Sequence, residues 1–175
     1  MLYESKTIQF TLSYYHILLF VRHSLLLHQI INMEFKDIAA VAGKGGLYKV
    51  VKPTKSGVIL EALDDSKAKI VTNINHKVSV LAEISVYCTG DEETIALPAV
   101  FTKIKDEFGD DLGVDKNADP DELKSFLAHI LPEYDRDKVY VSDIKKIVNW
   151  YMILFQLAPD LLVAAAAPAQ EEDKA

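Results

Sequence analysis

A single cysteine, Cys88, stands in 175 residues. That excludes an internal disulfide framework and any zinc site built from several cysteines, and it fits a reducing cytoplasm. Arginine is absent from residues 33–90. Glycine and proline are absent from residues 1–32, where the uninterrupted apolar run Ile17–Val21 falls far short of the ~20 residues of a membrane span. No small-residue cleavage pattern follows that run, so neither a membrane span nor a secretory leader is expected. The chain also lacks a nucleophile elbow, a dinucleotide fingerprint and a kinase signature set. No acid, base, nucleophile or metal set converges, so an enzyme is not expected, nor is a cofactor.

What is present divides unevenly. The net charge is −7. Residues 33–90 carry eight Lys against six Asp or Glu, whereas residues 91–175 carry nine Lys or Arg against nineteen Asp or Glu. The acidic half would repel a phosphate backbone, so any nucleic-acid contact is expected in the first half. Composition changes abruptly at Met33. Residues 1–32 read either as an amphipathic helix or, preferably, as an extension upstream of a true start at Met33 that takes no part in the native fold.

From Met33 the segment through Ala42 reads as a first strand or a helical turn. Gly43-Lys44-Gly45-Gly46 then turns sharply. The spacing is not that of a phosphate loop, since a strand follows and no Ser or Thr stands after the lysine. Leu47–Lys52 and Gly57–Leu63 read as a hairpin joined by Pro53–Ser56, with Gly57 supplying conformational freedom. Ala68–Ile74 alternates as a third strand, Val78–Leu81 reads as a helical turn, and Glu83–Cys88 and Glu93–Leu97 read as a fourth and fifth strand. Five short antiparallel strands with tight turns predict a small SH3-like β-barrel over residues 33–97.

A three-helix domain is expected over residues 98–158. Pro98 opens its first helix and Gly109 ends it. Asp119 caps the second, with Pro120 next and Glu122 completing a capping box. Ser142 is the expected cap of the third. From Trp150 to Leu157 that helix is apolar nearly all round, so Trp150, Ile153 or Leu157 is expected to meet the barrel or another chain. Residues 159–175 read as a disordered acidic tail. The class is therefore α+β.

The segments MEFKDIAAVAGKGGLYKVV, HKVSVLAEISVY and VYVSDIKKIVNWYMIL resemble those of an uncharacterised protein family of Bacteroidetes. It pairs a small N-terminal domain of unknown function with a helical C-terminal one. The resemblance runs from Met33 to about Leu157, and it implies no catalytic or binding residue.

The candidate site residues come from the side chains alone. Lys49, Lys52, Lys69 and Lys77, with Tyr48 and His76, make a candidate barrel surface for RNA or single-stranded DNA. Tyr48 is the one aromatic of the first three strands, however, and a solvated lysine face is the plainer reading. Asp115–Asp121 imitates the start of a calcium loop, but Pro120 and Phe126 occupy the positions where Gly and Glu are required, so no metal is expected. Cys88 reads as buried core and His129 as a helix-surface residue. The function expected is that of a cytoplasmic binding or adaptor module. Its partner is another protein or a second copy, with nucleic acid as the alternative and no membrane.

Overall fold

The computed structural model describes residues 33–73 and 75–164; the expected extension and most of the acidic tail lie outside the described residues. The strand-or-turn ambiguity after Met33 resolves into both. A 3-10 turn, Phe35–Asp37, is closed by the Asp37 carboxylate accepting from Glu34 N–H at 3.0 Å. It leads directly into β1, Ile38–Val41. Four more strands follow: β2 (Tyr48–Thr54), β3 (Gly57–Ala62), β4 (Lys69–Val71) and β5 (Val78–Val80). They form one antiparallel sheet in the order β4-β3-β2-β1-β5.

This is not the closed barrel expected. The segment read as a helical turn at 78–81 is instead β5, which pairs with β1 through Ala39–Val80 and Val41–Val78. Its Val-Ser-Val alternation is the two-residue period of a strand, and the 3-10 turn comes next, at Leu81–Glu83. The last two expected strands, β6 (Ser85–Tyr87) and β7 (Thr94–Ala96), pair only with each other. They cannot close the barrel, so β4 and β5 remain edges. The sheet nonetheless curls. Ile70 of β4 and Val78 of β5, from opposite edges, both pack against the buried cluster of Ala39, Val41 and Leu60.

The β2–β3 hairpin is longer than expected. Pro53 and Thr54 belong to β2, leaving Lys55-Ser56 as a two-residue turn. Beyond Lys49, β2 has no β1 partner, so the missing N–H of Pro53 costs the sheet nothing on that side. A bulge lies between Val50 and Lys52, where pairing steps from Val50–Leu60 to Lys52–Ile59. The extra residue, Val51, is left exposed, and Lys49 and Lys52 come onto the same face. Gly57 is required for a reason other than the one expected: its φ is not positive. A Cβ there would stand 1.9 Å from the Thr72 carbonyl oxygen. Thr72 is buried, and its hydroxyl accepts from Val58 N–H at 3.1 Å and donates to Val58 C=O at 2.9 Å, so it has nowhere to retreat.

Four helices follow rather than three: α1 (Leu97–Phe108), α2 (Pro120–Ile130), α3 (Val141–Leu157) and α4 (Pro159–Ala164). Helix α1 buries Leu97, Val100, Phe101 and Ile104 and stops at Gly109, whose φ of +62° is a left-handed value. Asp119 caps α2 as read, accepting from Asp121 N–H at 2.9 Å while Glu122 reaches back to Asp119 N–H at 3.3 Å. Ser142 does not cap α3. The cap residue is Tyr140, and it is Asp143 that reaches back to its N–H at 3.3 Å. Residues 159–164, assigned to the tail, instead form α4, which buries Leu161 and Leu162.

One line of rings runs through the fold. Phe35 stacks on Phe101 at 6.0 Å between centroids, Phe101 meets Tyr151 at 6.1 Å, and Tyr151 meets Phe155 at 6.1 Å. Tyr151 is fully buried, and its hydroxyl donates to the Gly109 carbonyl at 2.5 Å. Burial, with Asp110 and Asp106 nearby, pushes that phenol above its ordinary range. The charged loop before α3 is also anchored. Buried Asp135 accepts from Asp137 N–H at 2.9 Å, Lys138 N–H at 3.1 Å and the Lys138 ammonium at 3.2 Å. Burial alone would raise its pKa; the two backbone donors and Lys138 outweigh that and hold it below the ordinary value of 3.8.

Two outcomes follow from these contacts. Gly57→Ala should lose on the order of 3 kcal/mol in urea unfolding, whereas Gly45→Ala, where no atom lies within 4 Å of the new methyl, should stay within about 0.5 kcal/mol. Equal costs would show that the Gly57–Thr72 approach is not what requires glycine. Asp135 is depressed in the folded state, so its contribution is present above its unfolded pKa and lost as pH falls through the folded value. Asp135→Asn should therefore lower the melting temperature at pH 7 and flatten its decline below about pH 4. An unchanged acid limb would show that this carboxylate does not carry the effect.

Candidate functional site

The Gly43–Gly46 turn is held at its base by backbone hydrogen bonds. Ala42 N–H donates to Lys77 C=O at 2.9 Å and Lys44 N–H to Val41 C=O at 3.0 Å. Gly43 and Gly46 take φ of +77° and +82°, and nothing lies within 4 Å of where a Cβ would stand on Gly43, Gly45 or Gly46. The turn forms one wall of a cleft of about 690 Å³. The opposite wall is the first half of α3, with Asp143, Lys146, Ile147 and Trp150 at the i, i+3, i+4, i+7 spacing that puts them on one face. Ile84 and strand β6, through Ser85, Val86 and Tyr87, also line it, and Lys116 and Lys138 reach in from the loops before α2 and α3.

The electrostatics of this cleft oppose those of the chain. Five lysines line it, Lys44, Lys116, Lys138, Lys145 and Lys146, against a single carboxylate, Asp143. Asp143 is already engaged, by Tyr140 N–H and by Lys146 at 2.8 Å. Lys138 is held by Asp135 and lies 5.3 Å from the centroid of the Tyr87 ring. Lys44, Lys116 and Lys145 have no carboxylate partner among the described residues. Three unpaired ammonium groups around one concavity hold a positive potential that low-dielectric walls concentrate.

The residues singled out from the sequence fall elsewhere, with one exception. Tyr48 packs on the sheet's buried cluster and donates its hydroxyl to Gly45 C=O at 3.2 Å, so it braces the turn instead of presenting a ring to a ligand. Lys49 and Lys69 flank Glu61 across three strands on the outer face, and Lys69 pairs with it at 3.4 Å. Lys52 joins that face through the bulge. His76 closes its own loop, its Nδ1 lying 2.9 Å from Asn73 Oδ1, and Lys77 contributes its carbonyl to the base of the glycine turn. None of these six lines the cleft. Trp150 does. Ile153 and Leu157 continue the same stripe along α3 beyond the cleft, Ile153 half-buried and Leu157 43% exposed.

The remaining chemistry-bearing groups are accounted for locally. Cys88 is buried, and burial pushes its thiol up against the opposing pull of Lys103. Asp115 turns its carboxylate onto Asn117 N–H and Asp119 is spent on the α2 cap, so the oxygens that imitated a calcium loop serve the backbone. His129 lies on the surface of α2, 3.0 Å from Glu107. Among the described residues no group of three His, Cys, Asp or Glu is placed to hold a metal ion, and no helix is long and apolar enough to cross a membrane.

Sequence reasoning passed over the cleft lysines because four of the five sit in the strongly acidic half. The local signal was the Lys145-Lys146 pair one turn before Trp150.

Two family models match, both described as domains of unknown function: DUF5606 over residues 35–81 and DUF6852 over residues 84–154. The cleft draws on both, taking the glycine turn from the first and β6 and α3 from the second. No curated protein matches the chain. Among solved structures, a solution NMR structure of a structural-genomics target from Bacteroides vulgatus is 38% identical, covers 69% of this chain and 84% of its own, and superposes with a TM-score of 0.54. With that identity over most of the relative's length, and both domains matched in order, the chain belongs to a two-domain Bacteroidetes family that joins DUF5606 to DUF6852.

Proposed function

We propose that this protein is a non-catalytic binding module that holds an anionic partner in the cleft where its two family domains meet. The observation that carries the reading is the imbalance of five lysines to one engaged carboxylate in a chain of net charge −7. Unpaired ammonium groups repel one another, and an anionic partner relieves that repulsion. The non-catalytic reading is supported by the lining itself: its single acid is committed to a helix cap and to Lys146, and it includes no His or Cys among the described residues. A cytoplasmic setting suits the lone thiol of Cys88.

Inorganic tripolyphosphate, a compact polyanion, tests the site. Lys44→Glu with Lys145→Glu should weaken its binding by about a hundredfold, and Lys49→Glu with Lys69→Glu by less than about threefold. The reverse order would move the site to the outer face of the sheet, and no binding by the wild type would remove the proposal.

A second reading, a protein partner or a second copy, is favoured by the apolar end of α3 and α4. Leu157 is 43% exposed and Val163 59% exposed, with Ile153 half-buried on the stripe that leads there. In sedimentation the wild type should then run as a dimer and Ile153→Asp as a folded monomer. A wild-type monomer that loses stability on the same substitution would place the Ile153 contact inside the chain.

A further inference from the structure

The cleft offers more than positive charge: its lining also carries open backbone, aromatic rings and a side-chain amide. We infer, building on the anionic-ligand reading above, that its ligand is a nucleoside phosphate: phosphates on the glycine turn and the unpaired lysines, base among the rings. For the phosphates, Gly45 and Gly46 direct their N–H groups to no protein acceptor among the described residues. The positive φ at Gly43 and Gly46 and the open space where a Cβ would stand leave that backbone open to close approach. Free N–H groups in such a turn, with Lys44 just before them, suit phosphate oxygens. Lys145, across the cleft on α3, is the second unpaired cation.

The lining also holds groups suited to a base. Trp150 is half-buried, and Tyr87 is 49% exposed with the Lys138 ammonium 5.3 Å from its ring centroid. Both rings line the cleft together with Asn149, whose amide both donates and accepts, as the edge of a base requires. A run of acidic residues would use the lysines and the free N–H groups but leave the rings without a stacking partner.

Size and charge decide between a free nucleotide and a strand. The volume of about 690 Å³ lies within the ~300–1,000 Å³ of small-ligand sites. Of the chain's 19 Lys and Arg and 26 Asp and Glu, the cleft takes five and one, so the surface beyond it is more acidic than the net −7 indicates. A long strand would carry its further phosphates into that field. A nucleotide keeps its charge within reach of the lysines.

Trp150 is the only tryptophan, so its emission in the full chain reports on the cleft. Titrations would compare ATP, inorganic tripolyphosphate, oligo-glutamate and a single-stranded DNA decamer, with amide NMR of Gly43–Gly46 as a second readout. ATP is expected to bind about tenfold more tightly than tripolyphosphate, to shift the Gly45 and Gly46 amide signals and to alter Trp150 emission. Lys44→Gln should weaken both ligands in parallel, while Tyr87→Ala should remove only the advantage of ATP. Equal affinity for ATP and tripolyphosphate would overturn the nucleoside part and leave the anion site standing. Tighter binding of the decamer would overturn the argument from size, and tighter binding of oligo-glutamate would replace the nucleotide with an acidic protein segment. Binding of none of the four would overturn the anion site as well.

Discussion

The contact on which the rest of this structure depends is the stack of Phe35 on Phe101 and of Phe101 against Tyr151. Phe35 sits in the turn that enters β1, Phe101 in α1 and Tyr151 in the middle of α3, so three rings tie the sheet to the helices. Each such pair contributes roughly 0.5–1.5 kcal/mol beyond the area it buries. The larger effect is geometric. From Phe35 the chain runs through β1 straight into the glycine turn, and from Tyr151 one step back along α3 is Trp150. The ring stack therefore sets the spacing between the two walls of the cleft. Tyr151 adds a polar anchor, since its hydroxyl satisfies the Gly109 carbonyl at the end of α1.

Charge is distributed to the same effect. Away from the cleft some exposed lysines are matched, as Lys69 is by Glu61 and Lys124 by Asp121. Such exposed pairs contribute little to stability. Around the cleft the matching fails for Lys44, Lys116 and Lys145. Unmatched like charges cost stability, and that cost is what the proposed anionic partner would relieve. The domains that meet there are the two that define the family, so the cleft is a product of their joining.

A good part of the fold was legible in the sequence. Local signals that act within a few residues read correctly: the Asp119–Glu122 capping box, the stop at Gly109 and the hairpin around Gly57, while the third strand, read over Ala68–Ile74, is the shorter Lys69–Val71. The ladder of strands was legible only in part. Val-Ser-Val at 78–80 is too short to distinguish a strand from a turn, and its pairing with β1 depends on residues some forty positions away. The bulge at Val51 is likewise invisible in a sequence, because it exists only as a mismatch between two paired strands. The short α4 was missed because a stretch that opens on proline and runs into alanines resembles a tail until Leu161 and Leu162 find a core to enter.

The candidate site divides along the same line. Sequence alone determined that the chain is α+β, that its thiol is solitary, that its second half is acidic and that Trp150 opens the apolar half of its helix. These follow from composition and from periods of two and 3.6 residues, which are local properties. Only the tertiary structure decided that the glycine turn, Lys116, Lys138 and the Lys145-Lys146 pair surround one cleft. It also decided that Lys49, Lys52 and Lys69, the obvious cluster, lie on a different face beside Glu61. Charge acts through space, and a count along the chain averages five converging lysines with the many carboxylates that point away from them.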